Sequence, residues 1–163
     1  MTNGDGESRI VLPQTYLDQP RWWHDGAVWL ADLPAAVERQ CRRWDLAVDG
    51  QIRHGSNAIA LPVQRGGERL ILRMSPPGPS TVAEVRALRF WDGRGTARLI
   101  DVDAGPAAML LERVCPGTPA SSLPIEKSIE VLGQMMRRLA VPAPRDAPST
   151  AEVATQRRQT LTA

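Results

Sequence analysis

Lysine is almost missing from this chain of 163 residues. Twenty positions are Lys or Arg, and Lys127 is the single lysine among them. The arginines run from Arg9 to Arg158 with acidic residues between them, and the net charge is only +2. A nucleic-acid binder gathers its basic residues into a stripe or patch. The scatter here argues against nucleic acid as a partner and for a solvated, arginine-rich surface. Cysteine is equally scarce. Cys41 and Cys115 are too few for a metal site and too far apart for a redox motif, so they read as reduced thiols of a cytoplasmic protein. No apolar run approaches the roughly 20 residues of a membrane span. The opening MTNGDGESR carries acids and no apolar core segment, so a short disordered tail is expected there and not a signal peptide. Only two histidines occur, His24 and His54.

Glycine and proline are plentiful, at 13 and 14 residues, so many turns are expected. Between residues 12 and 31, Tyr16, Trp22, Trp23 and Trp29 suggest a segment packed onto the protein body. A helix is predicted from Asp32, with Asp32 as N-cap and Pro34 in the first turn. Its apolar face is Leu33, Val37, Cys41 and Trp44. Ala58 to Arg65 alternates around Ile59, Leu61 and Val63. Gly66-Gly67 then signals a hairpin, and Leu70 to Met74 forms the return strand. Thr81-Val82-Ala83-Glu84 fits a capping box for a second helix that ends near Trp91. Two strands follow, Ala97–Asp103 and Ala107–Val114, joined by Ala104-Gly105-Pro106. A third helix over 125–139 carries the stripe Ile125, Ile129, Leu132, Met136 and Leu139, which calls for a packing partner. Ser149-Thr150-Ala151-Glu152 opens a weaker last helix. The order predicts an α+β fold. It divides into an N-terminal tail and aromatic segment (1–31), a lobe (32–114), and a hinge with partial helical region (115–163).

A nucleotide site in such a lobe needs a covering loop, a cation on the third strand, an acid on the next helix, and backbone groups for the base. His54-Gly55-Ser56-Asn57 stands where the loop belongs; the alternative is a plain turn. Arg73 ends Leu70-Ile71-Leu72-Arg73 and is either the phosphate-facing cation or a solvated strand residue. Glu84 is either its partner or a helix cap. Glu112 and Val114 flank Arg113 in the base-side segment. Asp101 and Asp103 read as turn chemistry and His24-Asp25 as surface. Neither is taken as a metal site.

In order, Trp29-Leu30, Leu33-Pro34, Arg43-Trp44-Asp45-Leu46, Gly55, Pro62-Val63, Leu72-Arg73-Met74, Glu84, Trp91-Asp92-Gly93-Arg94-Gly95 and Leu110-Leu111-Glu112-Arg113 resemble the aminoglycoside/hydroxyurea phosphotransferases. These are streptomycin 6-kinase-like enzymes of the protein-kinase-like superfamily. The resemblance covers about residues 27–140. It implies a kinase-like N-terminal lobe with a sheet of about five strands. It also implies ATP and Mg²⁺ as cofactors, and phosphoryl transfer to a hydroxyl of a streptomycin-like aminoglycoside or of hydroxyurea, in antibiotic resistance or secondary metabolism. Gly55, Ser56, Arg73, Glu84, Glu112 and Val114 are the implied nucleotide contacts. Arg73 replaces the lysine usual there. The family's His-Gly-Asp catalytic loop and metal-binding Asp have no counterpart, so neither a catalytic nor a metal-ligating residue is assigned. The expectation is a truncated, weakly active or inactive form. The alternatives are a non-enzymatic nucleotide- or partner-binding module, a homodimer, or a lobe completed by a complementing C-lobe chain.

Overall fold

The computed structural model describes residues 10–19, 26–105 and 107–161. The expected tail, Trp22, Trp23, the His24-Asp25 pair and Pro106 lie outside the described residues. A short helix α1 (Gln14–Leu17) precedes a long α2 (Gly26–Arg43). Strands β1 (Ala47–Val48), β2 (Arg53–His54), β3 (Ile59–Arg65) and β4 (Glu68–Met74) lead to α3 (Pro79–Trp91). Strands β5 (Leu99–Asp103) and β6 (Ala108–Glu112), a 3₁₀ turn (Ala120–Ser122), α4 (Ile125–Leu139) and α5 (Thr150–Leu161) complete the order.

The sheet is antiparallel, ordered β1-β3-β4-β6-β5, with β2 also pairing β3. Val48 faces Val63 and His54 faces Ile59, so β1 and β2 are two halves of one edge strand along β3. These two-residue pieces fall below any readable period and were not expected from the sequence. The β3–β4 hairpin turns on Gly66 and Gly67, at φ 56° and 85°. Both angles are left-handed, which suits glycine and the twist of a tight hairpin. The result is the α+β lobe of the expected kinase-like kind.

One sheet face carries the core. Ile59, Leu61 and Val63 of β3, Leu70, Leu72 and Met74 of β4, and Ala108 and Leu110 of β6 pack against Leu33 and Val37 of α2. Ile10, Leu12 and Tyr16 close the same face. Of the expected aromatic segment, Tyr16 lies in this core and Trp29 packs against it.

Two helix starts differ from the sequence expectation. Helix α2 begins at Gly26, not Asp32, and holds Pro34 in its interior. An internal proline removes one ladder bond; burial of Leu33, Ala36 and Val37 on the core face outweighs it. Asp32 caps nothing and pairs with Arg39 at 2.7 Å. Helix α3 begins at Pro79, with Gly78 as a cap that makes no side-chain bond. The Ser149 box does form: Ser149 N–H donates to Glu152 Oε2 at 2.6 Å and Glu152 N–H to Ser149 Oγ at 3.2 Å.

The end of β6 is tied to β1. Arg113 Nη1 donates to Asp49 Oδ2 at 2.6 Å, and Arg69 Nε lies 3.4 Å from the same oxygen. A hydrogen bond from the Gln64 side chain, then Arg113 and Arg69, hold the Asp49 carboxyl below its ordinary range. A carboxyl lowered on folding stabilises the fold above its unfolded pKa, and that stabilisation is lost as pH falls through the lowered value. Urea midpoints followed from neutrality into the acid range should therefore fall more steeply for the parent than for Asp49→Asn. Parallel curves would contradict this. Both cysteines are free; burial pushes the Cys41 thiol up, while Cys115 is exposed. No described helix is long and apolar enough to cross a membrane.

Candidate functional site

Strand alternation decides where Arg73 points. Leu70, Leu72 and Met74 enter the core, so Ile71 and Arg73 belong to the opposite face. Arg73 sits between Ala60 of β3 and Met109 of β6 in the ladder. Its Nη2 donates to Glu84 Oε2 at 3.0 Å, with the two side chains 24% and 36% exposed. Its Nη1 is buried and has no hydrogen-bond partner among the described residues. The guanidinium is thus held by one arm and offers the other. Arg73 is not a solvated strand residue.

Glu84 is available because the expected capping box does not form. Pro79 suits the first helical position, and that earlier start moves Thr81 inside the helix. Thr81 is buried, and its Oγ1 donates to the Pro76 carbonyl at 2.8 Å and lies 3.2 Å from Ser75 Oγ. With no N-cap to serve, Glu84 reaches across to the sheet.

The turn 55–58 leaves β2 and enters β3 one ladder step beyond the Ala60–Arg73 pair. Gly55 and Ser56 are exposed at this end of the sheet. A Cβ built on Gly55 would meet nothing within 4 Å, so packing does not demand glycine there. Glu112 and Val114 lie at the other end. Glu112 pairs with Leu70, three residues from Arg73 along β4, or roughly 10 Å. Such a span is comparable to that between the base and the terminal phosphates of an extended nucleotide. Glu112 Oε2 lies 3.8 Å from Arg98 Nε, and Val114, 60% exposed, lies beyond the ladder. The fold therefore joins Arg73 to Glu84 directly, sets Gly55 and Ser56 at the same end of the sheet, and holds Glu112 and Val114 apart.

The unpartnered, buried Nη1 suits an anionic oxygen, and a guanidinium can meet phosphate with its fork. A divalent cation fits less well. Among the described residues no three His, Cys, Asp or Glu side chains gather, and Glu84 is engaged by Arg73. The described residues do not make a Mg²⁺ site.

The segment Trp91-Asp92-Gly93-Arg94-Gly95 joins the end of α3 to the end of α4. Asp92 adopts φ 43° at the end of α3. Arg94 Nη2 donates to the Phe90 carbonyl at 2.7 Å and Nε to that of Trp91 at 3.1 Å, satisfying the last turn. Trp91 Nε1 donates to the Leu139 carbonyl at 3.1 Å. Gly95, at φ 90°, lets Leu139 approach to 3.4 Å of where a Cβ would stand. Residues that sequence reasoning did not single out include Thr15 and Gln19. Their partners lie about 40 positions away, where local pattern has no signal; only aromatic Tyr16 pointed to that region.

The sequence model of the "Aminoglycoside/hydroxyurea antibiotic resistance kinase" family matches residues 43–163. A streptomycin 6-kinase of Streptomyces glaucescens is 40% identical over 124 residues, covering 74% of this chain and 40% of that protein. A streptomycin 6-kinase of Streptomyces griseus is 40% identical over 123 residues, with the same coverage. A hydroxyurea phosphotransferase of Kitasatospora aureofaciens is 36% identical over 135 residues, covering 79% of this chain and 39% of that protein. The chain spans about two fifths of the length of these curated relatives. With that match over most of its length, and with the kinase-like sheet and the Arg73–Glu84 pair, the chain belongs to the aminoglycoside/hydroxyurea antibiotic resistance kinase family.

Proposed function

We propose that this chain supplies the nucleotide-binding side of an ATP-dependent phosphotransferase whose acceptor is a hydroxyl of a streptomycin-like aminoglycoside or of hydroxyurea. The observation that carries the reading is the Arg73 guanidinium, fixed by Glu84 through one nitrogen and unpaired at the other. ATP, when bound, supplies the phosphoryl group. Arg73 neutralises phosphate charge, and Glu84 keeps its fork oriented. The loop with Gly55 and Ser56 covers the phosphates with backbone N–H groups. Backbone groups of the segment with Glu112 and Val114 meet the base. In this proposal residues 32–114 are the nucleotide lobe, and 115–163 are the hinge and first helices of the acceptor side.

Phosphoryl transfer also needs a group that positions the acceptor hydroxyl and ligands for the metal. No residue of 1–163 is assigned to either task, so the polypeptide 1–163 alone should bind ATP while phosphorylating streptomycin little above a no-protein control. Calorimetric titration with ATP and with adenosine, beside a radiolabelled-phosphate assay, checks both parts. Absence of any ATP affinity sinks the nucleotide reading, and robust transfer sinks the assignment of the acceptor groups to elsewhere.

A second reading is a non-enzymatic module that pairs through α4 with a second copy or a complementing C-lobe chain. It is favoured by the stripe Ile125, Ile129, Leu132 and Met136, which the fold leaves exposed, Met136 by 70%. A monomer in sedimentation that still binds ATP favours the first reading; a stable dimer without ATP affinity favours the second.

A further inference from the structure

The family match begins at residue 43, yet a segment well before it grips the loop that the proposed function assigns to phosphates. Every residue of 54–57 is touched by residues 15–19. Tyr16 is fully buried, and its ring lies 5.2 Å from the His54 ring, centroid to centroid. Its hydroxyl donates to the Asn57 carbonyl at 3.3 Å. The side-chain amide of Gln19 faces two carbonyl oxygens, of Gly55 at 3.1 Å and Ser56 at 3.0 Å, so its nitrogen is the end that meets them. Thr15 Oγ1 lies 2.8 Å from His54 Nε2, and His54 Nδ1 lies 3.2 Å from the Gly55 carbonyl. A carbonyl only accepts, so Nδ1 carries the proton. In the neutral ring, Nε2 then accepts from the Thr15 hydroxyl.

These bonds share a direction. Three successive carbonyls, of Gly55, Ser56 and Asn57, are turned toward the segment. In a planar trans peptide the next N–H points the opposite way. The amides of Ser56, Asn57 and Ala58 are therefore turned away from it, and none donates to another described residue. The segment packs with the core face through Tyr16, whereas Arg73 belongs to the opposite face. Successive outward N–H groups on that side form a cradle for anionic oxygens.

We propose that residues 14–19 are a strap that presets the loop 54–57 for nucleotide phosphates, with Thr15, Tyr16 and Gln19 as positioning residues. The inference rests on the proposed nucleotide reading of that loop. It acts through loop geometry, so its loss should lower affinity for phosphates and spare the nucleoside.

The test is a full-length chain carrying Thr15→Val, Tyr16→Phe and Gln19→Leu, which removes the three donors and keeps side-chain bulk. ATP and adenosine affinities, the thermal midpoint, and hydrogen exchange at the Gly55 amide, which donates to the Ala58 carbonyl at 3.0 Å, are read together. The expected result is a loss of about tenfold in ATP affinity, unchanged adenosine affinity and faster exchange at the Gly55 amide. Thr15→Ser, which keeps the hydroxyl, should bind ATP like the parent. If the triple variant does not fold, Thr15→Val and Gln19→Leu singly carry the same readouts, Thr15 being exposed and Gln19 half-buried. A folded variant with parental ATP affinity overturns the strap, provided Arg73→Ala still weakens ATP. If Arg73→Ala also binds ATP normally, the nucleotide reading fails and the strap falls with it.

Discussion

Replacing Arg73 by alanine should weaken ATP binding roughly ten- to a hundredfold, since a hydrogen bond to a charged group contributes about 1.5–3 kcal/mol. The loss should be confined to phosphate-bearing ligands, because the arginine lies at the loop end of the sheet and not near Glu112. The fold should survive. Glu84 would lose its partner, but its side chain is 36% exposed and can be hydrated, and ion pairs at such sites contribute little to stability. Arg73→Lys should recover part of the affinity: an ammonium keeps the charge and loses the fork. Glu84→Gln should give an intermediate loss, because the guanidinium keeps a weaker tether. Titration calorimetry with ATP, ADP and adenosine checks all three variants. An alanine variant that binds ATP like the parent would remove the main support for the site.

A second large effect is expected in the core. Leu72 is fully buried on β4, which lies between β3 and β6. Leu72→Ala should destabilise the protein by about 2–5 kcal/mol, combining lost burial with the cavity left behind. That is a large share of the roughly 5–15 kcal/mol that holds an ordinary domain together. The measurement is the urea midpoint at unchanged slope. Ile129→Ala gives the contrast. Ile129 has similar bulk but is 62% exposed on α4, so its removal should shift stability within about 0.5 kcal/mol. Equal losses at the two positions would mean that the stripe on α4 is buried in solution.

Much of the fold was legible in residue order. Alternation around Ile59, Leu61 and Val63, then Gly66-Gly67, then Leu70 to Met74, specified the central hairpin. The period of two is a local property of strands, and paired glycines suit a tight turn. The helix at 125–139 and the Ser149 box were equally local. What misled was competition between local signals. Asp32-Leu33-Pro34 looks like a helix start, but burial of Leu33 and Val37 carries the helix through the proline. Thr81 to Glu84 looks like a capping box, but Pro79 starts the helix two residues earlier, and Thr81 turns back to Pro76. The sequence left Glu84 with two roles because each accounts for a glutamate at that spacing.

Composition and pattern alone therefore determined the class of this protein: an α+β lobe with scattered arginines, carrying the motifs of its kinase family. These depend on residue type and near-neighbour spacing, which the chain displays directly. Tertiary structure alone decided how Glu84 is used. It set Glu84 on Arg73, left one guanidinium nitrogen unpaired, and brought Thr15, Tyr16 and Gln19 onto a loop some 40 residues away. The physical reason is that hydrogen bonds and ion pairs act over a few ångströms of space, and only the packed sheet brings such distant residues within that reach.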